Sequence, residues 1–318
     1  MCEGAFMDTE IMLPYQDFDI DINDITLLNY TEEGMRVITS YIEITRHTQE
    51  IHQLFEVFQY NLKRLLSVYE LNNGDTVKRH GPHFEGFSDR IELNALVINY
   101  ISSGKTLIDS MQACIKTTYS KESTEYISFC KLLSSVYDDC FSYRLLTRLR
   151  DFAQHGHLPV SVSDNIMCFD IAQIINTPHF NHNKTILAEM EKFNEELLVM
   201  QKSQPHYVFT LAVAEYTTSM CNVYHKFWGV IHDAFVDKEC TLRTLIEENP
   251  ECIVHNNDRM NGWLFYLVDE TLHAFNTTDD SLAMLSQHSE EAKQTYELEE
   301  IELNELRKSI KIINLEEQ

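Results

Sequence analysis

The sequence predicts a mainly α-helical protein, and three observations support this fold class. Nine glycines and six prolines are few for 318 residues, whereas hairpins and tight turns depend on such residues. Apolar residues recur at three- and four-residue steps over long segments, which is the period of an amphipathic helix. Several of these segments begin at a capping residue or end at a glycine. A few short strands are expected around residues 158–180 and 250–257.

The first two long helices are predicted on either side of a linker. Apolar side chains at helical spacing predict a helix over residues 31–71, and the aperiodic stretch 72–89, with its Asn-Gly step and a proline, predicts the linker. A second helix is predicted over 88–118, with Ser88 as its N-cap. Gly104 lies inside it, where glycine costs about 1 kcal/mol relative to alanine. We therefore expect Gly104 to allow close packing against a neighbouring element.

Two further helices are predicted over residues 124–136 and 138–155. The second of them ends at Gly156, a residue type that commonly terminates helices. Asp138 and Asp139 stand at its expected start, where carboxylates cap free backbone N–H groups.

The C-terminal half is predicted to be mainly helical, with helices over residues 184–202, 206–236 and 258–275. A last helix is predicted over 290–315. Its apolar residues alternate four- and three-residue steps, as in a short coiled coil; they are Leu303, Leu306, Ile310 and Ile313. This seam is too short to be stable alone, so we expect it to dock on the rest of the chain or on a partner.

The predicted domain organisation follows from changes along the chain in acidic residue content and in the periodicity of apolar residues. Five segments are predicted: an acidic N-terminal segment 1–34, a long helix and linker 35–84, a helical domain 85–160, a mainly helical region 161–289 and an acidic amphipathic helix 290–318.

Charge and cysteine content limit the function classes. A formal net charge of −25 opposes a general nucleic-acid coat, because such a surface repels a polyanion, but it permits a local basic pocket. The eight cysteines contain no Cys-x-x-Cys pair, which indicates reduced thiols and a cytoplasmic protein. The sequence shows no signal peptide and no apolar run of about 18 residues, so no membrane span is expected.

The strongest candidate site is the stretch RLRDFAQHGHLPV at residues 148–160. On an ideal helix the apolar residues of this region share one face; they are Leu145, Leu146, Leu149, Phe152 and Ala153. The opposite side carries an ionisable stripe within about 60°, formed by Arg144, Arg148, Asp151 and His155. Arg150 points about 140° away from His155.

Arg150 and His155 form an Arg-x4-His pattern at the end of a predicted helix, and Arg148 with His155 forms Arg-x6-His. This resembles the Arg-x(4–6)-His signature of the HEPN superfamily of all-helical RNases, toxins and defence proteins. The stretch FSDRIELNALVINYISSGKTLID resembles the first core helix of that family. The resemblance covers about residues 85–160 and implies a helical bundle of HEPN type, with additional helical N- and C-terminal regions. The family often has Asn after the arginine, where this chain has Asp151.

The resemblance implies a metal-independent endoribonuclease in a bacterial toxin or phage-defence role, acting on RNA such as tRNA. The ribose 2′-OH would attack and leave a 2′,3′-cyclic phosphate, at a composite site where two protomers meet in a homodimer. We assign catalytic roles to Arg150, Asp151 and His155, and substrate binding to Arg144, Arg148 and His157. Imidazole moves protons near neutral pH and guanidinium binds phosphate, so this chemistry needs neither a metal nor a cofactor.

A second interpretation stays open at this stage. The HEPN-like unit would be a non-catalytic dimerisation module, and the acidic segments 1–34 and 290–318 would bind a protein partner. Two histidine pairs, His80 with His83 and His179 with His182, have metal-like spacing but show no third ligand, so a polar-loop role is expected for them.

Overall fold

The computed structural model describes residues 32–66, 69–71, 77–79, 87–163, 166–177, 184–199, 206–254, 263–268, 271–276 and 281–316. Its helices are α1 (Glu32–Leu66), α2 (Phe87–Tyr119), α3 (Thr124–Asp139), α4 (Phe141–Gln154), α5 (Ile171–Ile175), α6 (Lys184–Val199), α7 (Phe209–Glu247) and α8 (Ser281–Glu316). The strands are β1 (Tyr69–Leu71), β2 (Val77–Arg79), β3 (Ser161–Ser163), β4 (Ile166–Asp170), β5 (His206–Val208), β6 (Ile253–Val254), β7 (Trp263–Val268) and β8 (Thr271–Asn276). The predicted mainly α fold is confirmed.

The chain divides into two compact units. One comprises residues 1–39 and 239–280, and the other comprises 40–238 and 281–318. The second unit contains the whole of the predicted segment 85–160. It also contains the candidate site.

An aromatic cluster forms the core of the second unit. Phe58 of α1 lies 5.1 Å from Tyr100 of α2 and 6.3 Å from Tyr216 of α7, measured between ring centroids. Tyr143 of α4 stacks on Tyr216 at 5.5 Å. Four helices thus bury large rings against one another, and such burial is the main stabilising contribution to a helical core.

Gly104 of α2 meets this cluster, as expected from the sequence. A Cβ built at Gly104 would lie 2.5 Å from the hydroxyl oxygen of Tyr216. Tyr216 is 2% exposed, so only a residue without a side chain lets α2 approach α7 this closely.

Helices α2, α3 and α4 pack against one another, and their boundaries differ from prediction at one point. Helix α3 continues through Asp139, and Cys140 both ends α3 and caps α4, where its sulfur accepts a hydrogen bond from Tyr143 N at 3.4 Å. Asp138 and Asp139 therefore end α3 instead of starting α4. The physical reason is that the helical period runs through them, while Cys140 leaves the helix with an extended backbone (φ −119°, ψ 108°).

Strands occur in both ranges for which they were expected, β3 and β4 within 158–180 and β6 within 250–257, and their sheets are extended by strands outside those ranges. Strands β3, β4 and β5 form one sheet in that order, and β6, β7 and β8 form another. The helix predicted over 258–275 is wrong, because β7 and β8 pair along six positions from Trp263↔Asn276 to Val268↔Thr271. Their sequence, WLFYLV followed by TLHAFN, is rich in aromatic and branched residues that favour strands.

The C-terminal helix α8 docks within the second unit, which is one of the two outcomes expected for it. Leu285, Ala292 and Leu303 are buried along one side of it. Arg307 forms an ion pair with Glu215 of α7 at 2.7 Å. In the described part of the chain, no helix combines the length and the hydrophobicity needed to cross a membrane.

Candidate functional site

Helix α4 ends in a Schellman motif that fixes the loop of the predicted site. Gly156 has φ +87°, a left-handed conformation that glycine adopts without strain. Gly156 N donates to Ala153 O at 3.0 Å, and His157 N donates to Phe152 O at 3.4 Å. The His157 ring also stacks on Phe152, with centroids 4.7 Å apart. His157 therefore helps to close the helix end.

The loop is also tied to α2 by a pair of hydrogen bonds. The Asn94 side chain donates to Val160 O at 3.1 Å and accepts from Val160 N at 2.9 Å. Asn94 is 1% exposed and Val160 is 6% exposed. Because both backbone groups of Val160 are buried, Asn94 is the partner that satisfies them.

Three predicted site residues share the exposed side of the last turns of α4. His155 is exposed and is the C-cap of the helix, with its backbone N bonded to Asp151 O at 3.2 Å. Arg148 Nη1 lies 3.8 Å from the Asp151 carboxylate. The guanidinium of Arg148 also contacts Tyr137 of α3, 5.8 Å above the ring. This side of the helix thus presents one cation, one carboxylate and one imidazole to solvent.

Arg150 lies on another side of α4. It stands seven residues after Tyr143, so the two side chains share a helical face, and Tyr143 stacks on Tyr216. Burial raises the pKa of the Tyr216 hydroxyl well above its usual value, and the positive charge of Arg150 opposes this shift. Among the described residues, the buried Nε of Arg150 has no hydrogen-bond partner. Within one chain the structure therefore does not bring Arg150 to the side of α4 that carries His155.

Arg144, the first member of the predicted ionisable stripe, is buried and not part of the exposed surface. It is 7% exposed, and it forms an ion pair with Glu189 of α6. It also donates hydrogen bonds to the carbonyl oxygens of Tyr137, at 2.7 Å, and Asp138. Helix α6 thus covers the N-terminal part of α4 at Arg144. A helical wheel drawn for one helix does not reveal this contact. These contacts indicate that Arg144 joins α3, α4 and α6.

The remaining exposed set can hold a phosphate and move a proton. Arg148 can donate two parallel hydrogen bonds to a phosphodiester, and the His155 imidazole can act as general base or acid. Asp151 neutralises part of the Arg148 charge, so a bound phosphate has to displace this carboxylate.

A second cluster of polar groups in the same unit was not predicted from the sequence. His52 of α1 stacks on His288 of α8, with ring centroids 3.6 Å apart and planes at 22°. Glu291 completes the group, and one ligand atom from each of the three residues lies within 4.8 Å of the other two. Burial, together with neighbouring His288, lowers the pKa of His52. His52 stands on a helix distant in sequence from the other two residues, so no local spacing could have pointed to the whole group.

The two histidine pairs singled out in the sequence, at positions 80 and 83 and at 179 and 182, lie outside the described residues.

The chain was compared with protein-family models, with curated protein sequences and with solved structures, and no match was found in any of the three. The resemblance to the HEPN superfamily therefore remains a prediction made from the motif and its helical setting.

Proposed function

We propose that the protein is a metal-independent endoribonuclease of HEPN type, in a toxin or defence role. The observation that carries the proposal is the group formed by the partly exposed Arg148 and the exposed Asp151 and His155 at the end of α4. In this proposal His155 is the general acid or base and Arg148 binds the phosphate. The spacing from Arg148 to His155 is Arg-x6-His, which lies within the spacing of the family signature.

A fixed loop supports this role, because catalysis requires groups held in place before the substrate arrives. The Schellman turn at Gly156 and the Asn94–Val160 hydrogen bonds hold the backbone on both sides of His157. Residues 131–160 have a net charge of +1 in a chain of −25. Because Arg144 is buried and paired with Glu189, the arginines of α4 left to bind a phosphate are Arg148 and Arg150.

Arg150 enters the proposal through a second protomer. Its side chain does not share the face of His155 within one chain, so its participation requires a homodimer in which the α4 helices approach each other. A composite site of this kind also places more guanidinium groups around one phosphate.

The experiment is cleavage of tRNA or total RNA in EDTA by the wild type and by His155→Ala, which replaces an exposed residue. We expect the variant to lose about 100-fold or more of the rate, as is typical for a general acid–base residue, and the wild-type products to carry 2′,3′-cyclic phosphates. His232→Ala is the matched control, since this histidine is also exposed on a helix of the same unit. Equal cleavage by wild type and His155→Ala, or none by either, would refute the proposal.

Arg148→Ala and Arg150→Ala separate the two arginines. If the site is composite, Arg150→Ala and His155→Ala homodimers are each inactive, and co-expression restores part of the activity in mixed dimers. Full activity of Arg150→Ala would limit the site to Arg148, Asp151 and His155.

The alternative function, a non-catalytic module that binds a protein partner, is favoured by one feature of α8. Leu298 and Ile301 are 62% and 61% exposed on this acidic helix, which is a large exposure for apolar side chains one turn apart. The RNA cleavage assay decides between the two functions, because the module predicts no cleavage under any condition.

A further inference from the structure

The cluster of His52, His288 and Glu291 has the composition of a transition-metal site. Helix α1 contributes His52, and α8 contributes His288 and Glu291 from adjacent turns. The side chains of both histidines are mostly buried, with 21% and 18% exposed, whereas Glu291 is 50% exposed. A partly buried pair of imidazoles with a carboxylate at its open side is accessible to a small ion from solvent.

The hydrogen bonding of His52 selects which of its nitrogens faces the cluster. Its Nδ1 lies 3.0 Å from the hydroxyl of Tyr224 on α7. Metal-binding histidines usually engage their second nitrogen in this way, which fixes the tautomer and the ring orientation. Nε2 of His52 therefore remains as the ligand atom, and it lies 3.9 Å from Glu56 Oε1.

His288 brings a buried nitrogen to the same place. Its Nδ1 makes no hydrogen bond with any described residue, although it lies 3.8 Å from the carboxylate of Glu291. A buried nitrogen without a hydrogen bond is costly unless another partner satisfies it. Trp228 lies beside it, with ring centroids 5.8 Å apart, so the inner wall of the cluster is aromatic.

The donor set indicates the class of metal. Two imidazoles and one carboxylate suit zinc and its first-row neighbours, whereas magnesium and calcium prefer oxygen ligands alone. Tetrahedral zinc holds its ligand atoms about 3.4 Å apart. The ligand atoms of the three residues lie within 4.8 Å of one another, so side-chain rotation is enough to bring them to that spacing. Since Tyr224 holds the His52 ring, zinc binding would turn the His288 ring out of the stack until its lone pair points toward the same ion.

We propose that His52 Nε2, His288 Nδ1 and Glu291 bind one zinc ion, with Glu56 or a water molecule as the fourth ligand. The ion joins α1 to α8, and it adds to the burial of Leu285, Ala292 and Leu303 and to the ion pair between Arg307 and Glu215. Its role is to hold the C-terminal helix in place, and it is independent of the proposed RNA site.

The test uses the full chain, stripped with EDTA, dialysed and titrated with zinc against a competing chromophoric chelator. We expect one tight zinc ion per chain. His288→Phe keeps a ring that can stack on His52 and Trp228 but removes the ligand nitrogen. We expect it to weaken zinc binding by about 100-fold or more, since one of three protein ligands is lost. Glu291→Gln, on a half-exposed side chain, should weaken binding without any effect on folding.

Two controls separate this site from adventitious binding. His232→Ala removes an exposed histidine of α7 that lies beside Asp233, and Cys240→Ser removes an exposed thiol; both variants should bind zinc as the wild type does. Zinc should raise the melting temperature of the wild type and leave that of His288→Phe unchanged.

A fluorescence measurement locates the ion. In a Trp263→Phe background the remaining tryptophan is Trp228, next to His288, so cobalt(II) should quench its emission. The same ion should leave the emission unchanged after His288→Phe. Equal zinc affinity for wild type and His288→Phe, or wild-type binding only at millimolar zinc, would overturn the proposal.

Discussion

Replacing Gly104 by alanine tests the close approach of α2 to α7 with a single methyl group. The added Cβ would lie 2.5 Å from the Tyr216 hydroxyl oxygen and 3.2 Å from two of its ring carbons. Tyr216 would have to withdraw by roughly 1 Å to reach ordinary van der Waals contact. Its ring packs against Tyr143 and Tyr100, both with ring centroids 5.5 Å away.

The magnitude follows from two opposing contributions. Alanine gains about 1 kcal/mol over glycine inside a helix, whereas forcing extra volume into a packed core costs about 1–3 kcal/mol. Tyr216 is buried and packed against other rings, so the upper part of that range applies. We expect the free energy of unfolding of Gly104→Ala to fall by about 1–2 kcal/mol.

Gly229→Ala is the matched control. Gly229 lies within α7, is exposed, and a Cβ built there meets no described atom within 4 Å. Only helix propensity acts at this position, so we expect a gain of about 0.5–1 kcal/mol. The two variants and the wild type are compared by urea unfolding, followed by far-UV circular dichroism.

The contact with the hydroxyl gives a second check. Tyr216→Phe removes the atom nearest to the new methyl group, so the double variant should recover part of the stability lost in Gly104→Ala. The reasoning is refuted if Gly104→Ala is as stable as Gly229→Ala, or if the loss persists unchanged in the double variant.

Three further predictions concern buried polar groups. Arg144→Ala should lower the free energy of unfolding by about 2–4 kcal/mol, because it leaves two carbonyl groups and Glu189 without their partner. Glu189→Gln should lower the free energy of unfolding by less. Asn94→Ala should increase amide hydrogen exchange around residues 155–163, because the buried N–H and C=O groups of Val160 lose their partner. Burial, with Glu302 nearby, raises the pKa of Glu299 to about 7. Between pH 4.5 and this value the native state retains a proton that the unfolded chain has released. The free energy of unfolding therefore falls as the pH rises through this range. Glu299→Gln should remove this fall, which we place at about 1–2 kcal/mol after a discount for partial exposure.

Each of these predictions has an outcome that would contradict it. Equal losses for Arg144→Ala and Glu189→Gln would mean that the carbonyl contacts of Arg144 contribute nothing. Unchanged exchange after Asn94→Ala would mean that the loop is held by other contacts. Parallel stability curves for Glu299→Gln and wild type between pH 5 and 8 would mean that Glu299 ionises at its ordinary pH.

Much of the fold could be predicted because helical period is a local property. The limits of α2, the start of α6 and the packing role of Gly104 follow from the spacing of apolar residues and from one glycine inside a helix. The helix predicted over 258–275 failed because short apolar segments are ambiguous, and the pairing of β7 with β8 decided their state. The seam of α8 was visible in the sequence, but its docking surface was not.

The candidate site was predictable only in part. A helical wheel correctly separated the buried residues Leu145, Leu149 and Phe152 from the polar side. It placed Arg144 on that polar side, because a wheel contains no information about α6. The Schellman turn was indicated by Gly156, whereas the hydrogen bonds from Asn94 join residues that are distant in sequence.

The sequence by itself determined most of the long helices, the termination of α4 before Gly156 and the relative directions of Arg148, Arg150 and His155, since these depend on a few neighbouring residues. The tertiary structure alone decided that Arg144 is buried beside Glu189 and that His52 meets His288. Those contacts depend on how separate helices pack, and packing is set by the summed burial of many side chains. No local spacing in the chain encodes it.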